Sequence, residues 1–379
     1  MRRKMEEIYI ATHKKPDADS CFACALLKMR YKILGYLFIS EVREIKEIKI
    51  KNVRFVDVGG IDLDHHQLKE EITSSDLVAK ELGIGEEKWI QPLLKLIRRA
   101  DLHAQTRPFD FPQTLKAIVK KEEISNEKII TVGIKIAENL IEFYQKGMRR
   151  NNEFTSKIIE EFFEEIKEDW ELLRKYLENL RNPRFQCIGD LVEILTVERE
   201  KNGDEKAKNL GKEMLKYVFE DYKIYKEARE EFKEAKKIEI AKGILLTFTN
   251  SKNPKISAAF RREGAAVIVQ KNPDTGNVQI YFDKEKISEK VSENITSELR
   301  RIEIQLMEKK LPKEVLKYES LSRKGKIEED EGKWYYHAPD LGKAGVILNG
   351  SLTHPGVTPT LISEKEIIEI IIKEIKTFL

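Results

Sequence analysis

At 379 residues the chain exceeds the roughly 250 to 300 residues at which single hydrophobic cores stop growing, so more than one lobe is expected. Charged residues make up 36% of it and apolar residues 41%, yet 69 basic against 66 acidic side chains leave a net charge of only +3. That balance excludes an overall cationic nucleic-acid binder and confines any nucleic-acid groove to a local patch. No stretch approaches the ~20 apolar residues that span a bilayer, no apolar signal region precedes the first strand, and three cysteines cannot staple a chain of this size, so a cytoplasmic protein without membrane contact is expected.

Taken in chain order, residues 1–118 alternate short apolar runs with helical patterns, the signature of an α/β layer with a parallel sheet. Strands are predicted at Ile8 to Ala11, Gly35 to Ile39 and Val53 to Val56, and helices at Ser20 to Tyr31, Ser74 to Leu82 and Glu87 to Ala100. From 119 to 237 the texture becomes Lys/Glu-rich with apolar residues three and four apart, which predicts a helical middle section broken near Arg181 to Arg184 and at Asn202-Gly203. Residues 238–379 return to strand signals: Ile244 to Phe248, Ala266 to Val269, an Asn272 to Gly276 turn, Val278 to Phe282, Trp334 to Tyr336 and Gly345 to Leu348. Helices are expected over Ser288 to Glu308 and Glu364 to Thr377. The fold expected is therefore α/β: an N-terminal parallel-sheet domain, a helical middle section and a smaller C-terminal mixed α/β domain.

Chemistry-bearing residues gather at two strand ends, where open α/β sheets bind ligands. His13-Lys14-Lys15-Pro16-Asp17-Ala18-Asp19-Ser20 follows the first strand. Alternate residues Asp17 and Asp19 in an extended turn can face two neighbouring cations while His13 approaches one of them; Pro16 stiffens the turn and Ser20 is the expected N-cap of the next helix. Asp57-Val58-Gly59-Gly60 ends the third strand, with Asp64-His65-His66-Gln67 close behind. Adjacent histidines need a partner for every ring nitrogen and make a poor core, so a metal site is the better account, with the two glycines letting Asp57 and the histidines converge. Carboxylates mixed with imidazole suit Mn²⁺ first and Mg²⁺ as the alternative, and two such ions ~3.5 to 4 Å apart can activate a water and clamp both oxygens of a phosphoryl displacement. Cys21 and Cys24, one turn apart, read as small core residues, and Asp62 reads as solvated.

His-x-x-Pro-Asp-x-Asp-Ser, an Asp closing a later strand, and Asp-His-His resemble, in that order, the DHH phosphoesterase superfamily, which includes RecJ-type nucleases, oligoribonucleases, cyclic-dinucleotide phosphodiesterases and inorganic pyrophosphatases. Val-Asp-Val-Gly-Gly with Asp-His-His-Gln and Ser74-Ser75-x-Leu77-Val78 is similar, within it, to the melanocyte-proliferating-gene exonuclease family, although the first motif keeps the general superfamily form. The resemblance implies that residues 1–118 form a DHH-type catalytic domain in which His13 and Asp17 bind one ion, Asp19, His65 and Asp101 the other, and Asp57 bridges. Asp76 and Asp110 are the alternatives to Asp101. Asp64 would orient an imidazole and His66 would stand near the substrate phosphate.

It further implies a substrate-binding role for residues 238–379, in which Asn349, Gly350, Ser351 and His354, after a strand, are the local counterpart of the family's Gly-rich segment, with Arg262, Arg261 and Lys271 as added phosphate contacts. The expected activity is metal-dependent hydrolysis of phosphodiester bonds in RNA or short oligonucleotides, with a homodimer compatible with the sequence. A small-nucleotide phosphodiesterase and a non-catalytic metal- or nucleotide-binding scaffold are the rival readings. Trp334, Tyr335 and Tyr336 would supply base stacking only if they escape the core.

Overall fold

The structure is a computed structural model that describes residues 5–40, 42–66, 68, 70–103, 105–107, 109–119, 124–167, 170–181, 190–308, 316–331, 333–337, 344–350 and 356–378. It forms two compact units, 1–221 and 222–379.

The first unit is built on a three-stranded parallel sheet, β1 (Glu7–His13), β2 (Lys32–Ile39) and β3 (Val53–Phe55), in the order β2-β1-β3. Parallel neighbours require a crossover, and α1 (Ala18–Leu27) supplies the one from β1 to β2. Its sequence, ADSCFACALL, is apolar almost all round, and every one of its residues is buried. A helix of that composition must be covered on all sides. The partners are α2 (Ser74–Glu81), α3 (Gln91–Asp101), α4 (Phe111–Val119) and α5 (Asn126–Lys146). The helices come especially close at Gly133 of α5, where a Cβ would lie 2.5 Å from Cys21 Sγ. Cys21 and Cys24 are thus core residues, and burial first, then each other's or nearby carboxylate charge, pushes both thiols up.

The helices α6 (Asn152–Ile166), α7 (Glu171–Arg181), α8 (Leu191–Asn202) and α9 (Asp204–Glu234) follow. The predicted break at Asn202-Gly203 is present, with Gly203 at φ +86° between α8 and α9. Among the described residues, the stretch expected as a middle section from 119 to 237 is built of helices as far as Glu234, with β4 beginning at Lys236, and most of it belongs to the first unit. α5 packs on α1 and on α8, and the division between units falls inside α9.

The second unit carries a six-stranded mixed sheet in the order β4-β5-β6-β7-β9-β8. Its elements are β4 (Lys236–Ala241), β5 (Ile244–Asn250), α10 (Ile256–Arg262), β6 (Ala265–Lys271), β7 (Val278–Phe282), α11 (Glu289–Leu306), α12 (Tyr318–Leu321), β8 (Tyr335–His337), β9 (Val346–Leu348) and α13 (Glu364–Thr377). β5 and β6 are parallel across α10, and β6 and β7 form the predicted hairpin through the Asn272 to Gly276 turn, closed by Asn272 N–H on the Asn277 carbonyl. Trp334 and Tyr336 are fully buried in this unit's core, which removes both as stacking platforms, and only Tyr335 of the three faces solvent. Among the described residues no helix is long and apolar enough to cross a membrane.

Candidate metal centre

His13 is the last residue of β1, and the chain turns immediately afterwards. Lys15 adopts φ +56°, and the turn is tied to α5 by Lys15 N–H on Asn126 Oδ1 at 2.8 Å. Asp17 then caps α1, accepting from Ser20 N–H at 3.0 Å. The cap is therefore Asp17 and not Ser20, as a short carboxylate at that position satisfies an orphan donor of the first turn. Ser20 lies inside the helix, where its hydroxyl is 3.0 Å from His13 Nε2, 3.2 Å from Asp17 Oδ1 and 2.7 Å from Asp57 Oδ2.

Asp19 is fully buried in the first turn of α1 and reaches the N-terminus of α2. Its Oδ2 accepts from Ser74 N–H at 2.7 Å and its Oδ1 from Ser75 N–H at 2.8 Å. A helix N-terminus offers free N–H groups and the positive end of its dipole, which is how a carboxylate is tolerated at this depth. The Ser75 hydroxyl also donates to Oδ1 at 2.5 Å; two oxygens have about four acceptor directions between them, so these three bonds leave one direction, on Oδ2, for a cation.

Asp57 follows β3 at φ +58°, a left-handed conformation that Asp tolerates better than most residues. Gly59 at φ +88° and Gly60 at φ +69° continue the bend, and a side chain at Gly59 would collide with Ile45. The bend returns the chain so that Leu63 bridges Val56, which brings Asp64, His65 and His66 beside Asp57. Asp62 braces this loop. It pairs with Arg54 through two bonds of 2.8 Å and accepts from Phe55 N–H, so the expectation that it is merely solvated is corrected.

The two oxygens of Asp57 face different neighbours. Oδ2 lies 3.3 Å from His13 Nε2, and Oδ1 lies 3.6 Å from Nδ1 of His65. His65 is 3.5 Å from Asp19 Oδ2 through Nδ1 and 3.2 Å from Asp101 Oδ2 through Nε2. Asp101 is the last residue of α3. Of its alternatives, Asp76 is committed to a capping box with Thr73 and to Arg98, at 2.9 and 2.6 Å. Asp110 accepts from Arg107 N–H, Gln113 N–H and Arg99. Only Asp101 of the three meets His65 among the described contacts.

Ligand-type atoms of His13, Asp17 and Asp57 lie within 4.8 Å of one another, and so do those of Asp19, His65 and Asp101; Asp57, Asp64, His65 and His66 make a third such group. The electrostatics are those of a cation site. Burial first, then the charges of Asp57, Asp17 and Asp101, hold the Asp19 carboxyl well above its ordinary range. Burial and Asp17 push Asp57 the same way, against the opposing His13 and Ser20 bonds. Burial alone would depress the two imidazoles, yet the Asp57 bond with the Asp17 charge pushes His13 up to about 10, and the Asp101 bond with Asp19 and Asp57 pushes His65 up to about 9. Four carboxylates crowd two histidines, and the surplus negative charge fits hard divalent cations held by oxygen and imidazole.

Asp64 and His66 belong to neither trio but border both through Asp57 and His65: His66 Nδ1 lies 3.6 Å from Asp57 Oδ1, and the His66 ring stacks on His65 at 4.5 Å. Asp64 is buried, accepting from Gly60 N–H at 2.6 Å and His66 N–H at 3.1 Å, with His66 Nδ1 2.5 Å away. Against the upward push of burial, these bonds hold its carboxyl down at about 2. The His66 side chain is 61% exposed, with Nδ1 engaged by Asp64.

The expected substrate residues belong to the second unit. Asn349 is fully buried. Its Nδ2 donates to the Lys333 and Thr358 carbonyls at 3.0 Å each, and its Oδ1 accepts from Asn277 Nδ2 at 3.2 Å and Thr360 N–H at 3.1 Å. Gly350 sits at φ +78° where a Cβ would meet Asn277 Nδ2 at 2.8 Å. Ser351 and His354 lie outside the described residues. Arg262 ends α10 and is exposed, as is Arg261, whose guanidinium returns to Ser257. Sequence reasoning passes over Ser74 and Ser75 as shapers of the site. The signal that marks them is the Thr73-x-x-Asp76 capping box, which sets a helix start beside Asp19.

No protein-family model matches this chain, and no curated protein matches its sequence. Among solved structures, the chain is similar to a pGpG-specific phosphodiesterase, PggH, from Vibrio cholerae, over 72% of its own length and 81% of that chain, at 12% identity and a TM-score of 0.40. It is similar to RecJ in complex with Mn²⁺ from Thermus thermophilus over 76% of its length and 46% of that chain, at 13% identity and a TM-score of 0.32. A third similarity, to an uncharacterized protein from Helicobacter pylori, spans 99% of this chain and 100% of that one at 9% identity and a TM-score of 0.21. At such scores the site stands on its own side-chain geometry.

Proposed function

We propose that this chain is a DHH-type phosphoesterase that hydrolyses phosphodiester bonds in RNA or short oligonucleotides with the help of two Mn²⁺ ions. One observation carries the reading: two ligand trios, His13/Asp17/Asp57 and Asp19/His65/Asp101, lie on opposite oxygens of one buried carboxylate, Asp57. His13, Asp17 and Asp57 would hold one ion, and Asp19, His65 and Asp101 the other, with Asp57 common to both. Mg²⁺ is the alternative occupant, since the donors are hard oxygens and imidazole. When bound, the pair would supply activation of the attacking water and neutralisation of charge at the phosphoryl oxygens.

The protein's own contributions follow from its bonds. Asp64, held ionised, fixes the His66 ring through Nδ1 and leaves Nε2 of this largely exposed side chain to meet a phosphate oxygen or protonate the leaving group. Lys15, Asn126 and the Asp17 cap hold the first turn rigid, and Arg54 with Asp62 holds the second. In the second unit Gly350, Ser351, His354 and Arg262 are proposed to bind substrate, with Asn349 acting by shaping the chain around it through its buried bonds.

The test is hydrolysis of a generic phosphodiester and of labelled RNA and DNA oligomers, with Mn²⁺ and with chelator, for wild type and Asp57→Ala. Metal-dependent cleavage that disappears in the variant supports the reading, and the product ladder separates oligonucleotides from smaller nucleotides. Tight metal binding without hydrolysis of any phosphoester favours a scaffold.

A further inference from the structure

Ser74 is the first residue of α2, fully buried, and carries no charge, yet it touches three of the proposed ligands. Its N–H donates to Asp19 Oδ2 at 2.7 Å; its hydroxyl lies 3.1 Å from His65 Nδ1 and donates to Asp57 Oδ1 at 3.4 Å. The hydroxyl has one proton to give. Given to Asp57, that proton leaves Oγ as an acceptor on the His65 side, where only an Nδ1–H can fill it. The Nδ1 proton is then retained, and the nitrogen left for a cation to take in place of its proton is Nε2, the atom that faces Asp101 at 3.2 Å. In metal sites the nitrogen that ligates is set by the bond its opposite nitrogen makes, and losing such an outer partner typically weakens metal affinity about 10- to 100-fold.

We infer that Ser74 is a positioning residue for the Asp19/His65/Asp101 ion: through one hydroxyl it fixes the His65 tautomer and ring orientation and registers His65 against the shared Asp57. The inference rests on the two-ion reading of the site. It separates Ser74 from its neighbours. Among the described contacts Ser75 serves Asp19 alone, and Ser20 occupies the equivalent place on the other oxygen of Asp57, beside His13.

The experiment is calorimetric titration of Mn²⁺ into metal-free wild type, Ser74→Ala and Ser74→Thr, with thermal melts of each metal-free protein. Ser74→Ala keeps the backbone N–H on Asp19, so only the hydroxyl is lost. The expected result is two binding steps in wild type, one of them weakened about 10- to 100-fold in Ser74→Ala and largely restored in Ser74→Thr, with the other step much less changed. A merely structural serine would lower the melt and weaken both steps together, which overturns the inference, as does a Ser74→Ala protein that binds both ions as wild type does. Ser74→Cys, which keeps the volume and substitutes a weak acceptor, answers the same question if the alanine variant does not fold. Wild type that takes up no Mn²⁺ brings down the two-ion reading as well, an outcome visible before any variant is compared.

Discussion

His13 and Asp57 meet at 3.3 Å, Nε2 to Oδ2, although one closes β1 and the other follows β3, with α1, β2, a short 3-10 helix over Val42–Glu47 and β3 itself between them in the chain. The register of the parallel sheet accounts for the meeting. β1 lies between β2 and β3, and its pairing with β3 runs to Ala11 opposite Phe55, so both strands leave the sheet at the same carboxyl end. The second Asp57 oxygen then faces His65.

Crowding of this kind would make a bound divalent cation a stabiliser of the fold. A ligand that binds only the native state raises stability by about 2.7 kcal/mol at 100 times its Kd. Saturating Mn²⁺ is therefore expected to raise the Tm of the wild type by several degrees, chelator to reverse it, and Asp57→Ala to abolish the response. Differential scanning calorimetry with and without the ion reads this directly, and a wild-type Tm indifferent to Mn²⁺ speaks against the site.

Asp101 and Asp76 give opposite signatures. Asp101→Ala is expected to weaken one Mn²⁺ step at least about tenfold while leaving the metal-free melt nearly unchanged, since Asp101 sits half-buried at the end of α3 and meets His65. Asp76→Ala removes half of a capping box and the Arg98 pair. Its expected cost is about 1 kcal/mol of stability, with Mn²⁺ affinity much less affected. Isothermal titration and thermal melts of the two variants distinguish a ligand from a cap.

Much of this was legible in the sequence because the relevant residues are local. Strand ends followed by His-x-x-Pro-Asp-x-Asp and by Asp57-x-Gly-Gly fix both the edge of the sheet and the donor atoms, and α13 was readable to the residue from its Ser363 to Glu366 cap and apolar spacing. What was not legible depends on tertiary pairing. Nothing in the spacing of Asp62 announces its bidentate bond to Arg54, because that bond depends on the Val56–Leu63 bridge folding the loop back. β4 and the seven-residue α10 carried too short a periodicity to stand out. The helical stretch after residue 119 reads as separate by composition, but α5 supplies the cover that the uniformly apolar α1 requires.

That cover leads to a third prediction. Gly133 lets α5 approach α1 behind the turn from His13 to Asp17, and a methyl there would sit 2.5 Å from Cys21 Sγ and 2.9 Å from its Cβ. Gly133→Ala is expected to destabilise the first unit by about 1 to 3 kcal/mol through overpacking, despite alanine's better helix propensity. Adding Cys21→Ala, which removes the sulfur, should recover part of the loss. Chemical denaturation of the single and double variants measures the coupling, and a Gly133→Ala protein at wild-type stability or above contradicts the packing described.

The central claim is that Asp57 serves two cations at once. Equilibrium titration of Mn²⁺ into metal-free wild type and Asp57→Ala tests it most directly, with stoichiometry as the readout. The account predicts two ions per wild-type chain and loss of tight binding at both positions in the variant. One ion per wild-type chain, or two retained by Asp57→Ala, would contradict it.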